Sequence, residues 1–284
     1  MSKIPVARLW HKKGKLEYYT MFQLNKYFPK LEFEFHIILD QPNYKDEWSE
    51  KIDELPYKCF WYSKEDMKNY MENSGYGDAE FFSKIPNFIH FYHILINHYV
   101  RRVFSYDYVL NIEYDVLFNN DNLTQLENFL THKIPFGIIE PSNPNCDKSL
   151  AQQLSNLFQT NIVKYPNMGI NAGFQGINLK IFDEFMNPPT FNMLLELFDF
   201  SGIYDKDGNE KWGGERTIID TQEQSFHSLM NALSPNHEIL NPTEYYVFPH
   251  WVDKEYFYKS KVIHFIGHEK PKEMFEIINK NLEN

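Results

Sequence analysis

Apolar strand-like runs alternate with stretches of helical spacing along most of the chain. Ile4–Trp10 (IPVARLW) and Phe33–Leu39 (FEFHIIL) are short runs rich in apolar and aromatic residues, and both predict strands. Tyr57–Tyr62 predicts a third. Glu17–Tyr27 and Ile89–Arg102 carry apolar residues at helical spacing. Tyr108–Phe118 (YVLNIEYDVLF) predicts one long strand, followed by a helix that Asp121 caps and that runs through Phe129. Phe136–Ile139 and Ile170–Asn178 read as strands, Ile181–Met186 and Phe191–Phe198 as helices. Near the C-terminus a strand ends at His264. Pro271 then opens an amphipathic helix built on Met274, Phe275, Ile277, Ile278 and Leu282. This alternation predicts an α/β fold, a mostly parallel sheet with helices on both faces. No repeat or linker interrupts it, so one domain over 1–284 is expected. Ser201–Glu215 is the one long irregular stretch, and a hairpin turn at Asp207-Gly208 fits it better than a calcium loop.

Composition narrows the class. The 284 residues hold 28 Lys+Arg against 39 Asp+Glu, a formal charge of −11. That balance offers no bulk attraction to nucleic acid or to an anionic membrane. A hydrophobic content of 43% argues against disorder. Two cysteines, Cys59 and Cys146, make no disulfide framework. The opening MSKIPVARLWHKKGK has no apolar signal core, and the longest apolar stretch, Phe88–Val100, is shorter than the roughly 18 residues of a membrane span. A soluble cytoplasmic protein without a membrane span is the expectation. Lys far outnumbers Arg, and Asn, Ile, Phe and Tyr are plentiful. The bias fits AT-rich coding, as in a large DNA virus, a protist or an AT-rich bacterium; for a virus the place would be host cytoplasm or virion.

Two constellations carry chemistry. On one straight strand Val109, Asn111, Glu113, Asp115 and Leu117 would share a side, and Tyr108, Leu110, Ile112, Tyr114 and Val116 the other. Glu113 and Asp115 then lie together at the end of a hydrophobic strand, where two ionised carboxylates are costly unless a cation joins them. Mg²⁺ or Mn²⁺ suits such oxygens. A solvated strand end is the plain alternative. The second constellation is Val262–Pro271 (VIHFIGHEKP). His264 can offer a neutral imidazole to a metal, Gly267 a close backbone approach, and Lys270 a point charge for phosphate. A core histidine, a turn glycine and a surface lysine would read the same. His11-Lys-Lys-Gly14, after the first strand, is either a solvated turn or a diphosphate contact. The aromatic run Tyr245–Tyr258 is either core or a stacking surface for an acceptor sugar.

Taken together, the acid-x-acid strand Tyr106–Phe118, MGINAGFQGINLKIF (Met168–Phe182), Glu223-Gln224 and HFIGHEKP (His264–Pro271) resemble the glycogenin-like (family eight) retaining glycosyltransferases. FYHILINHYVRRVF (Phe91–Phe104) is a weaker likeness to the helix that precedes the acid strand. The resemblance spans about residues 85–275. The sequence departs from the family pattern at Glu113 in place of Asp, at the bulky Tyr114, at His93 in place of Arg, and at Lys272 in place of Trp.

The resemblance implies a GT-A (Rossmann-like) nucleotide-diphospho-sugar transferase fold, with residues 1–118 as the nucleotide-binding half and 119–284 as the sugar and acceptor half. It implies Mn²⁺ or Mg²⁺ held by Asp115, His264 and Glu113, with Tyr114 beside the nucleotide. Lys270 and the turn at Gly267 would meet the diphosphate, and Asn171 and Gly173 would line the sugar pocket. Gln224, Glu223 and Asn171 are the catalytic candidates, although Asp220-Thr-Gln-Glu223 also fits a helix cap. The implied reaction moves a hexose from a UDP-sugar to a glycan or protein acceptor, with retention and no firm enzyme nucleophile. An inverting transferase would need Glu223 or Asp220 as a base. A sugar-phosphate nucleotidyltransferase lacks its Gly-rich loop here. A decayed, glycan-binding protein is the non-enzymatic alternative.

Overall fold

The computed structural model of the chain describes residues 3–11, 13–40, 47–76, 89–119, 122–140, 156, 158–159, 169–190, 192, 222–248, 259–266 and 272–283. Strands β1 (Ile4–Trp10) and β2 (Phe33–Leu39) form where their apolar runs predict, and every residue of both is buried. They pair in parallel, Ile4 opposite Phe33 and Trp10 opposite Leu39. Continuous burial is the mark of a parallel sheet covered on both faces. β3 (Lys58–Tyr62) adds to β2 at the edge, and β4 (Tyr108–Ile112) to the other side of β1, both in parallel. β6 (Phe136–Glu140), β7 (Gly169–Asn178) and β8 (Glu238–Leu240) complete a seven-stranded sheet of order β3-β2-β1-β4-β7-β6-β8. Among the described strands of this sheet, β7 alone runs against its neighbours, β4 and β6.

Among the described residues the helices are α1 (Lys15–Tyr27), α2 (Glu47–Ile52), α3 (Lys64–Ser74), α4 (Ile89–Phe104), α5 (Thr124–His132), α6 (Ile181–Glu184), α7 (Gln222–Leu233) and α8 (Lys272–Glu283). On one face of the sheet Ala7, Leu9, Val109 and Ile177 pack with α3, α4 and α7. On the other, Val6, Tyr108, Leu110 and Ile112 pack with Met21 and Leu24 of α1 and Leu126 and Leu130 of α5. Each large apolar side chain so buried contributes about 1.5–3 kcal/mol. No helix among the described residues is long and apolar enough to cross a membrane.

The long strand expected at Tyr108–Phe118 is broken. β4 stops at Ile112, and β5 (Val116–Phe118) belongs to a second, three-stranded sheet with β9 (Tyr245–Phe248) and β10 (Val262–Phe265), in the order β5-β10-β9. The Glu113 N–H makes a last bond to the Gly173 carbonyl at 2.8 Å, and Val116 N–H then turns back to the Glu113 carbonyl at 3.3 Å. Helix α1 supports the turn. The Thr20 hydroxyl donates to the Tyr114 carbonyl (2.9 Å), while the buried Gln23 amide donates to Val116 O (2.7 Å) and accepts from Phe118 N–H (2.9 Å). Gln23 thus acts as a short surrogate strand. The single-strand pleat assigned across Glu113–Leu117 is therefore replaced by a turn.

Other departures are smaller. The helix expected from Asp121 starts at Thr124, and Leu123 at its N-cap makes no side-chain cap bond. Asp121, Cys146, Asp220, Gly267, Lys270 and Pro271 lie outside the described residues, as do 201–215 and nearly all of 191–198. In α8, Met274 and Ile278 are buried against Leu16, Tyr19, Leu117, Ile263 and Phe265, whereas Phe275 faces out.

Candidate metal centre

The turn between the two sheets brings Glu113 and Asp115 against His264. The ligand atoms of the three all lie within 4.8 Å of one another. His264 Nε2 stands 3.1 Å from Asp115 Oδ1 and 3.2 Å from Glu113 Oε2. Strand register produces this contact. β10 runs antiparallel to β5 with His264 opposite Val116, and Phe265 N–H donates to the Asp115 carbonyl at 2.9 Å. Asp115 and His264 are each 4% exposed, while Glu113 is half-buried. One carboxylate and the imidazole are thus sealed in, and the second carboxylate borders solvent.

Strand β7 supplies the floor. Asn171 Oδ1 accepts the Gly173 N–H at 3.0 Å and lies 2.6 Å from His264 Nδ1. A Cβ on Gly173 would fall 2.2 Å from His264 Cε1 and 2.7 Å from each ring nitrogen. Only a glycine leaves room for the ring here, the close-approach role that glycine plays within strands.

Burial by itself would lower the His264 pKa. Asp115 and Glu113 outweigh it and push the imidazole up to about 10. Two carboxylate oxygens and one imidazole nitrogen also form a donor set suited to Mn²⁺ or Mg²⁺. Adjacent ligands of an octahedral ion at about 2.1 Å lie roughly 3.0 Å apart, close to the 3.1 and 3.2 Å found here. The residues fit a divalent ion.

Sequence reasoning missed Arg8. It is fully buried, and its guanidinium donates to the carbonyls of Glu17 (3.4 Å) and Leu9 (3.5 Å). Burial lowers its pKa, opposed by Glu17 and, more weakly, by Asp115 and Glu113. A buried cation therefore lies within electrostatic reach of the acid pair. Its one signal is an Arg inside an otherwise apolar strand. Glu17 is buried too, which raises its carboxyl against the pull of Arg8. Its oxygens take the N–H groups of His11 (2.5 Å) and Lys13 (2.9 Å). The loop after β1 is thereby tied down at those two amides.

The remaining sequence candidates fall as follows. Tyr114 packs at the edge of the α1–α8 core, its ring 5.5 Å from that of His11. Glu223 and Gln224 lie on the first turn of α7, which packs against β7. His93 is buried, with Nε2 3.3 Å from the Ala7 carbonyl. Asp107 precedes β4, at the end away from Glu113, and pairs with Arg101 and Lys180 on the surface. Tyr245 is core, and residues 249–258 lie outside the described residues.

No protein-family model matches the chain, and no curated protein does. Solved structures do. The bifunctional glycosyltransferase WbbM superposes with a TM-score of 0.53 at 15% identity, over 100% of this chain and 50% of its own. The chain thus spans about half the length of WbbM. An active-site mutant of LgtC gives 0.53 at 14% identity, over 98% of this chain and 96% of that one. Core-mannan synthase A (CmsA/Ktr4) from Aspergillus fumigatus, in its Mn/GDP form, gives 0.51 at 14% identity, over 87% of this chain and 76% of that one. With the mostly parallel seven-stranded sheet between helices, these likenesses show that the chain has the GT-A glycosyltransferase fold.

Proposed function

We propose that the chain is a metal-dependent glycosyltransferase. In this reading it moves a hexose from a UDP-linked sugar to a glycan or protein acceptor, with retention of anomeric configuration, as in the glycogenin-like family. One observation carries it: Glu113, Asp115 and His264 converge where β4 ends in a GT-A sheet, and open α/β sheets bind ligands at the carboxyl ends of strands. The similar folds are glycosyltransferases by name, and one of them is an Mn/GDP form.

Asp115, Glu113 and His264 would hold a Mn²⁺ or Mg²⁺ ion, which would supply Lewis-acid relief of the charge on a departing diphosphate. Asp115 and Glu113 would bring carboxylate oxygens to such an ion, and His264 its Nε2 lone pair. Lys270 would add positive charge for the diphosphate, and Gly267 a close backbone approach to it. That local charge answers the overall −11, which by itself repels an anionic donor. Tyr114 borders the nucleotide. Asn171 and Gly173 line the hexose pocket, and Glu223 and Gln224 orient the hexose from α7. With retention by front-face displacement no side chain has to act as base, because the leaving diphosphate accepts the acceptor's proton.

A panel of sugar nucleotides incubated with Mn²⁺ tests the reading. One donor should be hydrolysed slowly by the wild type and not by Asp115→Ala or His264→Ala. Equal hydrolysis by both variants would sink the site. The anomer of the transfer product, read by NMR, separates retention from an inverting reaction with Glu223 or Asp220 as base.

A further inference from the structure

The Gly173 amide can only donate, so the Asn171 atom 3.0 Å from it is the side-chain oxygen and not the nitrogen. The same oxygen lies 2.6 Å from His264 Nδ1. An oxygen lone pair cannot bond a bare imidazole nitrogen, so Nδ1 must carry a hydrogen. We infer that Asn171 is a positioning residue, one that keeps His264 in its Nδ1–H form and presents the Nε2 lone pair to a cation shared with Asp115 and Glu113. The inference rests on the metal reading of that trio.

Backbone geometry enforces it twice. The Gly173 N–H fixes the Asn171 amide, and the amide fixes one ring nitrogen. The missing Cβ of Gly173 lets the ring settle with Cε1 against the strand, which leaves Nε2 on the carboxylate side, 3.1 Å from Asp115 and 3.2 Å from Glu113. Asn171 is 2% exposed, so water does not compete for its oxygen. The tautomer of a ligating imidazole is set by the bond its other nitrogen makes. Here that bond comes from a residue three strands of sequence away, on β7.

The test is NMR on ¹⁵N-histidine protein, metal-free and saturated with Zn²⁺ as a diamagnetic probe, together with Mn²⁺ affinity by electron paramagnetic resonance. The His264 Nδ1–H signal should persist in both states, while Zn²⁺ removes Nε2–H. Asn171→Ala should weaken Mn²⁺ binding about 10- to 100-fold. Asn171→Asp, whose carboxylate accepts the same two N–H groups, should recover most of that loss. Zn²⁺ on Nδ1, or wild-type Mn²⁺ affinity in Asn171→Ala, overturns the inference and leaves the metal site standing. A wild type that binds neither ion overturns both. The spectra need no variant, so a misfolded Asn171→Ala does not decide the matter.

Discussion

His264 and His36 are both enclosed, and each has carboxylate oxygen within 3.5 Å of Nε2. They end in opposite states. At His36, on β2, burial prevails and pushes the imidazole down to about 4, with Glu34 opposing it. Glu34 is shared: its carboxylate also accepts from the Tyr106 hydroxyl (3.0 Å) and Lys3 (3.5 Å). His36 Nδ1 bonds the Tyr62 hydroxyl at 3.1 Å, and the ring stacks on Phe60. At His264 two carboxylates act together, and the imidazole is pushed up to about 10. One shared carboxylate does not repay desolvation, whereas two do. Excess negative charge is what makes the second place a candidate cation site, and its lack leaves the first as scaffold.

Removing the imidazole is the harshest way to break the contrast. His264→Ala removes the cation that offsets the charges of Asp115 and Glu113. Metal-free protein should lose about 3–5 kcal/mol in urea unfolding, and Mn²⁺ binding should vanish in calorimetry. Acid comes next. The folded pKa of His36 (about 4) and of His98 (about 3) lies below the ordinary 6.5. Their part of the stability is present above pH 6.5 and lost as pH falls toward those values, a loss on the order of 3 kcal/mol for His36. Unfolding in EDTA between pH 7 and 4 measures it, and His36→Gln should flatten the limb. His264 has the reverse sign. With its folded pKa raised to about 10, its contribution is complete below pH 6.5 and lost as pH rises through 10, a limb that His264→Ala should lack.

Two glycines sharpen the comparison further. A Cβ on Gly173 strikes the His264 ring, and one on Gly176 strikes the Tyr108 hydroxyl at 2.2 Å. Both alanine variants should cost about 1–3 kcal/mol in thermal unfolding, yet only Gly173→Ala should weaken Mn²⁺ binding. The mildest change is Glu34→Gln. It withdraws the charge that partly supports His36, so the lower end of the acid limb should extend down by about one pH unit while its onset near pH 6.5 stays.

Much of this was legible where residues announce themselves locally. Ile4–Trp10 and Phe33–Leu39 match their strands end to end, because buried parallel strands are mostly apolar runs, here interrupted only by Arg8, Glu34 and His36. Glu113, Asp115 and His264 stood out as charge or imidazole on apolar strands. The break after Ile112 did not, since the apolar pattern on both sides of the turn is the same and no Gly or Pro marks it. What bends the chain there is Thr20 and Gln23, supplied by a helix far back in sequence. α3 escaped notice because only Met67 and Met71 of its eleven residues are buried. β8 and β9 are three and four residues long and are defined by their partners β6 and β10. The Asn171–His264 bond joins residues 93 apart, a distance at which spacing carries no information.

The chain leaves one sheet at Glu113 and enters the other at Val116. An ion shared by Glu113, Asp115 and His264 would therefore stitch the larger sheet to the smaller and close a loop of just over half the chain. Loops of that length are where a clip removes most freedom from the unfolded chain. At a hundredfold excess over its dissociation constant such a clip adds about 2.7 kcal/mol. The melting temperature of this protein would then report how much free divalent metal surrounds it.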